Sequence, residues 1–386
     1  MRILILTISY APNVGGVETH LADWVRWLRG RPDLDVDVLT YQPITTDATG
    51  PAFEQDGCVR IFRVRWFGRT LFHRLESRPA LQFLYLAPRL LLAAIAHLLR
   101  HGRPDVLHAH GLAAIWVAGW LKRLWKIPVL GALHTVYIFP PETQTGKRIG
   151  RVLHSADRVL SCAEAGVIQS RAYGLSEKQV GGFTYWVDQT VFIPHPCDKA
   201  RRELGLPLAT PLCLFVGRLI EVKGVRIILD LARAHPELLF VVAGDGPLDR
   251  ECAEAEKTLS NLRYLGCRVN RDLPLLYSAS DVLLVPSLFT EGIPRVICEG
   301  LSCGLPVIAS DRGGSREALT PGLGRLAEPT EESFSAALRE WLASSASDPG
   351  LRQRCRRHAE ERFSERNAAA IEDCLRQIVA QTSPRG

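Results

Sequence analysis

Two rounds of alternation between short apolar runs and longer amphipathic stretches constrain the fold of this sequence more than any other feature. Ile3-Leu4-Ile5-Leu6, for example, is typical of a buried strand, and residues 17–29 have the apolar spacing of a helix. Strands that alternate with helices in this way form parallel sheets covered by crossover helices, so the sequence predicts an α/β fold. Strands are predicted at 2–8, 36–40, 59–65, 105–109, 128–133 and 158–162, and again at 212–216, 238–243, 262–265, 281–285 and 306–309.

The alternation stops once, between residues 184 and 198, where Ile193-Pro194-His195-Pro196 favours an extended linker. A chain of 386 residues is long enough for about two domains. We therefore place a first domain at 1–190 and a second at 191–364, with a cleft between them as the expected ligand site. Helices are predicted at 17–29, 81–100, 112–125, 163–173, 223–234, 248–258, 271–278, 294–303, 331–346 and 350–382.

Composition indicates a globular protein with reduced cysteines and gives no indication of nucleic-acid binding. Hydrophobic residues make up 47% of the chain, enough for a sizeable core. The ten cysteines form no C-x-x-C pair, so we expect reduced thiols in a cytoplasmic protein instead of a disulfide framework or a zinc site. The apolar run after Met1 is too short for a signal peptide. A net charge of +6 permits an anionic partner but does not indicate nucleic-acid binding.

The run from Leu81 to Leu99 is the one stretch with the length and apolar character of a membrane span. Because Gln82, Pro88, Arg89 and His97 interrupt it, we expect a buried or surface-lying helix instead. Basic and aromatic residues precede it, and two interpretations stay open: contact with an anionic membrane, or a solvated arginine face in front of a core helix. These residues are Arg60, Arg63, Arg65, Arg69, Arg74 and Arg78, with Trp66, Phe67 and Phe72, and with Glu76 as the one acid.

The segment from Phe289 to Glu299 carries the clearest indication of function. Pro294 suits the first turn of a helix, which places Glu291 in the loop at the helix N-terminus and Glu299 on the helix itself. Backbone N–H groups at a helix N-terminus attract an anion, and a carboxylate accepts hydrogen bonds from hydroxyl groups. The segment therefore suggests a ligand that combines phosphate with hydroxyl groups, as a sugar nucleotide does.

Glycines and cations follow two other predicted strands. Gly15-Gly16 opens the first helix, where it either admits a phosphate or makes a tight turn. Gly217-Arg218 and Lys223 follow the strand at 212–216. Because both cations come after the carboxyl end of a strand, we expect them to clamp a diphosphate.

Two further loops have weaker patterns. Gly244 begins the glycine loop after the strand at 238–243, where it shapes a pocket or makes an ordinary turn. Arg268 and Val269 follow another strand, and backbone groups there are candidates for contact with a nucleotide base.

Three histidines lie near predicted strand ends. His108 and His110 should point to one face of their strand, but no carboxylate or cysteine cluster joins them, so a structural role or pocket wall is expected in place of a metal site. His134 suits either a functional site or a structural role. Asp35-Val36-Asp37 has a D-x-D spacing, yet it lies inside a predicted strand, and we expect outward-facing strand charges.

Taken together, these motifs resemble the retaining GT-B glycosyltransferases of family four, often called group 1 glycosyltransferases. The resemblance extends over nearly the whole chain and depends on the order and spacing of the motifs. Besides those already described, it includes Ala156-Asp157-Arg158-Val159, Pro286-Ser287, Gly304-Leu305-Pro306-Val307 and Gly313-Gly314. The chain departs from the family at Tyr185-Trp186-Val187-Asp188, where the family often has Asn-Gly-Val-Asp.

The resemblance implies two Rossmann-like domains with parallel sheets that face a cleft, and a C-terminal helix at about 365–386 that packs back on the first domain. The first domain would carry the acceptor site and the second the nucleotide-sugar site. No metal and no other cofactor are expected. By resemblance, the catalytic residues are His134, Arg218, Lys223 and Glu291, and the donor is bound by Gly15, Gly16, Gly217, Gly244, Arg268, Val269, Gly292, Ile293, Pro294 and Glu299.

The expected reaction is transfer of a hexosyl group from a nucleoside diphosphate sugar to a hydroxyl acceptor, with retention at the anomeric carbon. The expected setting is assembly of cell-envelope or exopolysaccharide glycans, on a lipid-linked acceptor, in the cytoplasm at the inner face of the plasma membrane. Two alternatives stay open: a non-catalytic partner subunit with the same fold, and an inverting GT-B enzyme or a nucleotide-sugar epimerase.

Overall fold

The computed structural model describes residues 1–13, 15–44, 48–66, 69–75, 78–137, 139–345 and 348–382. It divides into two compact units. The first comprises Met1–Phe183 and Arg366–Gly386, and the second comprises Thr184–Glu365. Residues 184–190, which the sequence analysis assigned to the first domain, are therefore grouped with the second unit.

The first unit contains strands β1–β8 and helices α1–α6. Its strands are β1 (Arg2–Thr7), β2 (Asp35–Tyr41), β3 (Phe53–Asp56), β4 (Val59–Val64), β5 (Val106–His110), β6 (Val129–Leu133), β7 (Arg158–Ser161) and β8 (Val180–Gly182). Its helices are α1 (Gly16–Arg29), α2 (Arg69–Leu75), α3 (Pro79–His101), α4 (Leu112–Trp125), α5 (Gln144–Leu153) and α6 (Glu164–Ala172).

One eight-stranded sheet organises this unit, in the order β3-β4-β2-β1-β5-β6-β7-β8. All neighbouring strands are parallel except β3 and β4. The central strands are buried on both faces, as a parallel sheet covered by helices requires. Leu4 and Leu107 of the sheet pack with Leu90 of α3 and Ile115 of α4 in one apolar core.

The second unit contains strands β9–β14 and helices α7–α14. Its strands are β9 (Leu212–Val216), β10 (Leu239–Ala243), β11 (Leu262–Tyr264), β12 (Val282–Val285), β13 (Val307–Ser310) and β14 (Gly324–Ala327). Its helices are α7 (Cys197–Glu203), α8 (Val225–Ala234), α9 (Asp249–Thr258), α10 (Leu273–Ala279), α11 (Arg295–Ser302), α12 (Gly314–Ala318), α13 (Glu331–Ser345) and α14 (Leu351–Arg362).

The sheet of this unit is fully parallel, in the order β11-β10-β9-β12-β13-β14. The strand order therefore runs in one direction from β9 to β11 and in the other from β12 to β14. This is the Rossmann arrangement, in which ligands bind where the order reverses, at the carboxyl ends of the two central strands. The predicted α/β fold with two Rossmann-like domains is confirmed.

The last helix, α15 (Arg366–Thr382), belongs to the first unit. Glu372 accepts hydrogen bonds from Trp27 Nε1 at 3.0 Å and from Arg31 Nε at 3.1 Å. Ala368, Ile371 and Leu375 on the same helix are buried. The C-terminal helix predicted at about 365–386 corresponds to α15. Residues 383–386 lie outside the described part of the chain.

The prediction of outward-facing charges on β2 is wrong for Asp37. Its carboxylate is buried and accepts hydrogen bonds from Arg60 Nε at 2.6 Å and Arg2 Nη2 at 3.0 Å, and it lies 3.0 Å from His97 Nε2. These partners, despite the cost of burial, hold the pKa of Asp37 below its usual range. An ion-paired carboxylate of this kind fixes β2 to its neighbours.

Candidate active site

The point where the strand order of the second unit reverses lies between β9 and β12. The loop after β9 contains Arg218 and Lys223, and the loop after β12 contains Glu291. A backbone hydrogen bond from Leu288 N to Val222 O, 2.9 Å long, joins the two loops. Residues that are 68 positions apart in the sequence therefore meet at the place where this fold binds ligands.

Lys223 and Glu291 form the centre of this cluster. Lys223 Nζ lies 2.5 Å from Glu291 Oε2, and Ser287 Oγ donates a 2.5 Å hydrogen bond to Glu291 Oε1. The side chains of Lys223 and Glu291 are 24% and 15% exposed, so both remain accessible to a ligand. The ammonium also lies 5.6 Å from the centre of the Phe289 ring, a cation–π distance. The site thus offers a cation and an acceptor side by side.

Two glycines allow these loops to approach so closely. Gly224 has a φ of +71°, and a Cβ there would lie 2.0 Å from the carbonyl oxygen of Pro286. Gly313 has a φ of +51°, and its Cβ would lie 2.3 Å from the carbonyl oxygen of Glu291. Larger residues at either position would push the loop after β12 away, because both contacts are with backbone atoms.

Gly292, Ile293 and Pro294 lead from Glu291 into α11 and are buried. The helix begins at Arg295, one residue after the predicted start, so Pro294 occupies the capping position. A proline suits this position because it has no N–H group that needs a partner. The predicted contacts of these three residues with a sugar and a phosphate stay predictions.

Glu299 lies on α11 behind the cluster, in a buried polar network. It accepts hydrogen bonds from Arg295 Nε at 2.9 Å and from the Tyr277 hydroxyl at 2.8 Å, and Arg295 Nη1 donates to the carbonyl oxygen of Trp186 at 3.0 Å. Burial and the carboxylate raise the pKa of Tyr277. Sequence reasoning missed Arg295, Tyr277 and Trp186; the four-residue spacing of Arg295 and Glu299 was a usable indication, whereas Tyr277 gave none.

The other predicted donor residues of this unit lie on neighbouring loops. Arg218 is exposed, and its side chain forms no ion pair with any described residue. A Cβ on Gly244 would lie 1.8 Å from the carbonyl oxygen of Gly217, so the glycine at position 244 allows the loops after β9 and β10 to approach closely. Arg268 and Val269 are exposed beyond β11. Their predicted contact with a base stays a prediction.

In the first unit, Gly15-Gly16 lies where the loop after β1 enters α1. Gly15 is the residue before the helix, and its carbonyl oxygen accepts a 2.8 Å hydrogen bond from Thr19 Oγ1. A Cβ at Gly15 would lie 2.4 Å from Glu18 Oε2, the end of a flexible side chain, so a larger residue there would displace that side chain. The predicted role of this turn in phosphate binding stays a prediction.

The predicted histidines form a cluster at the carboxyl ends of β5 and β6. His108 Nδ1 accepts a 3.2 Å hydrogen bond from Trp24 Nε1, and His110 Nδ1 lies 2.9 Å from His134 Nε2. Burial lowers the pKa of His108 and of His134 to about 3, and that of His110 well below its usual value. The cluster is therefore uncharged near neutral pH. Within the described ranges, no three His, Cys, Asp or Glu side chains are arranged to hold a metal ion.

Two arginines of the predicted basic surface at 60–78 are paired with carboxylates and are not free surface charges. Arg60 pairs with Asp35 and Asp37, and Arg63 is buried against Glu54. Phe67 and Glu76 lie outside the described residues, as does the side chain of Arg69. By length and composition alone, Ala80–His101 meets the criteria for a membrane-spanning helix, as core helices of soluble proteins also do.

Comparison with known proteins agrees with the predicted family. Residues 197–362 match the family model described as glycosyl transferases group 1, and residues 15–180 match the model of a glycosyl transferase 4-like domain. A D-inositol 3-phosphate glycosyltransferase of Thermomonospora curvata is 30% identical over 369 residues, covering 83% of this chain and 82% of the relative.

Solved structures with similar folds cover almost the whole chain. Sucrose-phosphate synthase of Thermosynechococcus elongatus has a TM-score of 0.82 at 21% identity, covering 98% of this chain and 99% of that one. Anabaena HepE in complex with UDP and glucose has a TM-score of 0.74 at 22% identity, with 98% and 100% covered. The chain therefore belongs to the group 1 glycosyltransferases of GT-B fold and is a glycosyltransferase.

Proposed function

We propose that this enzyme transfers a hexosyl group from a nucleoside diphosphate sugar to a hydroxyl acceptor, with retention at the anomeric carbon. The observation that carries the proposal is the Lys223–Glu291 pair, which lies at the strand-order reversal of a Rossmann-like unit. Relatives in fold such as HepE, solved with UDP and glucose, support a donor of this class.

The Lys223–Glu291 pair fits two parts of such a donor, its diphosphate and its sugar. An ammonium group donates up to three hydrogen bonds, so Lys223 can keep its contact with Glu291 while it binds a diphosphate oxygen. Arg218 adds a second cation on the same loop. The Glu291 carboxylate accepts from Ser287 and still has lone pairs for sugar hydroxyls. The predicted roles of Arg268 and Val269 near the base complete the donor site.

The chemistry that follows is electrostatic. As the bond between the anomeric carbon and the diphosphate oxygen breaks, negative charge grows on the leaving group, and Lys223 and Arg218 stabilise it. The acceptor oxygen bonds to the anomeric carbon on the face that the diphosphate leaves. Its proton passes to the departing phosphate oxygen, so no protein nucleophile is required. His134, Gly15 and Gly16 belong to the first unit, and their part in this step stays a prediction.

Two kinds of acceptor fit a hydroxyl-directed transferase. The first is the predicted lipid-linked acceptor in envelope or exopolysaccharide assembly, which the enzyme would meet in the cytoplasm at the inner face of the plasma membrane. The second is a phosphorylated polyol, which the name of the Thermomonospora curvata relative suggests. A surface pocket of the first unit lined by Lys147, Arg151 and His154 supports an acceptor with an anionic group.

Thermal shift with UDP-, GDP- and ADP-sugars tests the donor, because a ligand that binds the folded state raises its melting temperature. We expect one base to give a clear shift and the nucleoside monophosphates to give less. NMR of the product then reports the anomeric configuration and separates retention from inversion. No shift with any sugar nucleotide, or an inverted product, would contradict the corresponding part of the proposal.

A further inference from the structure

We infer that the outward face of α3, with the exposed end of α4, is a surface by which the first unit binds an anionic lipid bilayer. The inference rests on the first acceptor of the proposed function, the lipid-linked one, and it names the surface that would bring enzyme and acceptor together. We call this set of residues the α3–α4 face. It comprises Leu81, Leu84, Leu92, Leu99, Trp120 and Leu124.

The four leucines of α3 form an unbroken apolar strip. Leu81, Leu84, Leu92 and Leu99 are 46%, 64%, 62% and 74% exposed. On a helix of 3.6 residues per turn these positions fall within about 80° of one another, along about 27 Å of the axis. A helix on the surface of a monomer usually has polar residues on its outward side, so this strip needs a partner.

The opposite side of α3 is already committed to the core. Leu86, Leu90 and Ala94 are buried and lie roughly half a turn away from the centre of the exposed strip. A helix fixed in this way can lie flat on a membrane while its inner face stays packed against the sheet. This arrangement favours a helix that lies in the plane of the membrane interface over one that spans it.

Aromatic rings extend the strip onto α4. The ring centres of Phe83 and Trp116 are 5.6 Å apart, and those of Trp116 and Trp120 are 6.0 Å apart. Trp120 and Leu124 are 41% and 61% exposed. Arg123 lies over the Trp120 ring at 5.3 Å. Tryptophan beside a cation is typical of the zone where lipid headgroups meet the apolar interior.

Charge identifies the partner. Residues 65–126 contain ten lysines and arginines against two acidic residues, a net charge of +8, although the whole chain carries only +6. Arg78 precedes the strip and Arg100 and Arg103 follow it, all three exposed. Basic residues around an apolar strip complement anionic headgroups. A second copy of the chain would bring two such basic regions together, so self-association is disfavoured.

Vesicle co-sedimentation tests the inference. The full chain should bind vesicles of phosphatidylcholine with about one third phosphatidylglycerol, more strongly than pure phosphatidylcholine vesicles, and salt should weaken binding. The double variant Leu84→Asp/Leu92→Asp should reduce binding at least about tenfold. Leu208→Asp, at a 47% exposed leucine of the second unit, is the matched control and should bind like the wild type.

A second variant separates charge from apolar contact. Arg100→Glu/Arg103→Glu lowers the net charge of residues 65–126 from +8 to +4, so it should weaken binding to the anionic vesicles and reduce its salt dependence. The inference would be overturned if the wild-type protein did not bind anionic vesicles, or if the leucine variant bound them as strongly as the wild type. So would a stable wild-type dimer that the leucine variant converts to a monomer in light scattering, because the face would then be a self-interface.

A measurement of donor binding separates a failure of this inference from a failure of the proposed function. None of the substituted residues belongs to the Lys223–Glu291 cluster, so the leucine variant should keep the thermal shift with the sugar nucleotide. Loss of vesicle binding with an intact donor shift supports the inference. Vesicle binding in a protein that no sugar nucleotide stabilises would instead contradict the proposed donor and leave the bilayer surface standing.

Discussion

Each unit has a sheet whose strand order reverses, but the two differ in the chemistry at the carboxyl ends of their strands. In the first unit, the strands β5 and β6 end in His108, His110 and His134, whose pKa values are lowered by burial. In the second unit, the loops after β9 and β12 present Lys223 and Glu291 with part of each side chain accessible. A neutral edge cannot neutralise a diphosphate, whereas a charged one can. The comparison supports our proposal that the second unit binds the anionic part of the donor.

A second contrast lies within the second unit and concerns two arginine–glutamate pairs with the same spacing. Arg295 and Glu299 are both 5% exposed, whereas Arg250 and Glu254 on α9 are 91% and 58% exposed. Through Glu299, the buried pair ties α11 to Tyr277 beside the candidate active site. The exposed pair is screened by water and should contribute little.

The largest expected effect is on stability, from Arg295→Met. This change leaves the Glu299 carboxylate buried without its cation, which typically costs about 3–5 kcal/mol. We expect the free energy of unfolding of the second unit to fall by this amount, measured by urea unfolding with hydrogen exchange on β12 and β13. Unchanged protection of those strands would show that the remaining partners of Glu299 satisfy the carboxylate.

The next effect is on catalysis, from Glu291→Gln. The amide keeps the shape of the side chain but loses the charge that binds Lys223 and the sugar hydroxyls, so kcat/KM should fall about 10²- to 10³-fold. Release of nucleoside diphosphate at limiting donor measures this. Glu254→Gln, on the exposed pair, is the control and should be as active as wild type. A variant at Glu291 with full activity and an unchanged melting temperature would remove this residue from the mechanism.

Acid should weaken the first unit before the second. His108 has a pKa of about 3 when folded and about 6.5 when unfolded, so the unfolded chain binds the proton more readily. The stability that its neutral form provides is complete above pH 6.5 and declines as the pH falls towards 3, by about 1.4 kcal/mol per pH unit.

Hydrogen exchange at pH 7 and pH 5, corrected for intrinsic rates, should therefore show lost protection in β5 with β9 little changed. His108→Gln should reduce the loss in β5, since the amide does not titrate. Equal losses in both units would mean that the histidine cluster does not set the acid sensitivity.

The smallest effect is expected for Arg250→Met. An exposed pair at four-residue spacing contributes about 0.3–0.5 kcal/mol. The variant should unfold within about 1 kcal/mol of wild type in the same urea experiment. A loss as large as that of Arg295→Met would mean that burial is not the property that separates the two pairs.

Much of the fold could be predicted from the sequence because long segments with regular apolar spacing are recognisable as helices or strands. The helix predicted at 112–125 is α4 at the same bounds, and the strand predicted at 212–216 is β9. Short elements were missed: β3 reads Phe-Glu-Gln-Asp and has no apolar alternation, and α12 is only five residues long. Their formation depends on neighbours that the local sequence does not specify.

The loops that form the candidate site could be predicted from the sequence, but the long-range contacts of its buried side chains could not. Lys223 and Glu291 follow strands whose carboxyl ends meet, so their approach could be expected from topology. The contacts of Glu299 with Tyr277, and of Arg295 with Trp186, join residues that are 22 and 109 positions apart and leave no periodic pattern. Asp37 was misjudged for the same reason, because Arg2 and His97 reach it from distant elements.

Calorimetric binding of the matching sugar nucleotide to Lys223→Ala tests the central claim most directly. Lys257→Ala, at an exposed lysine on α9, is the control. We predict that Lys223→Ala weakens binding of the nucleoside diphosphate sugar at least about tenfold, with a much smaller effect on the nucleoside monophosphate, and that Lys257→Ala changes neither. Equal affinity of the folded Lys223→Ala variant and the wild type for the diphosphate sugar would contradict the account.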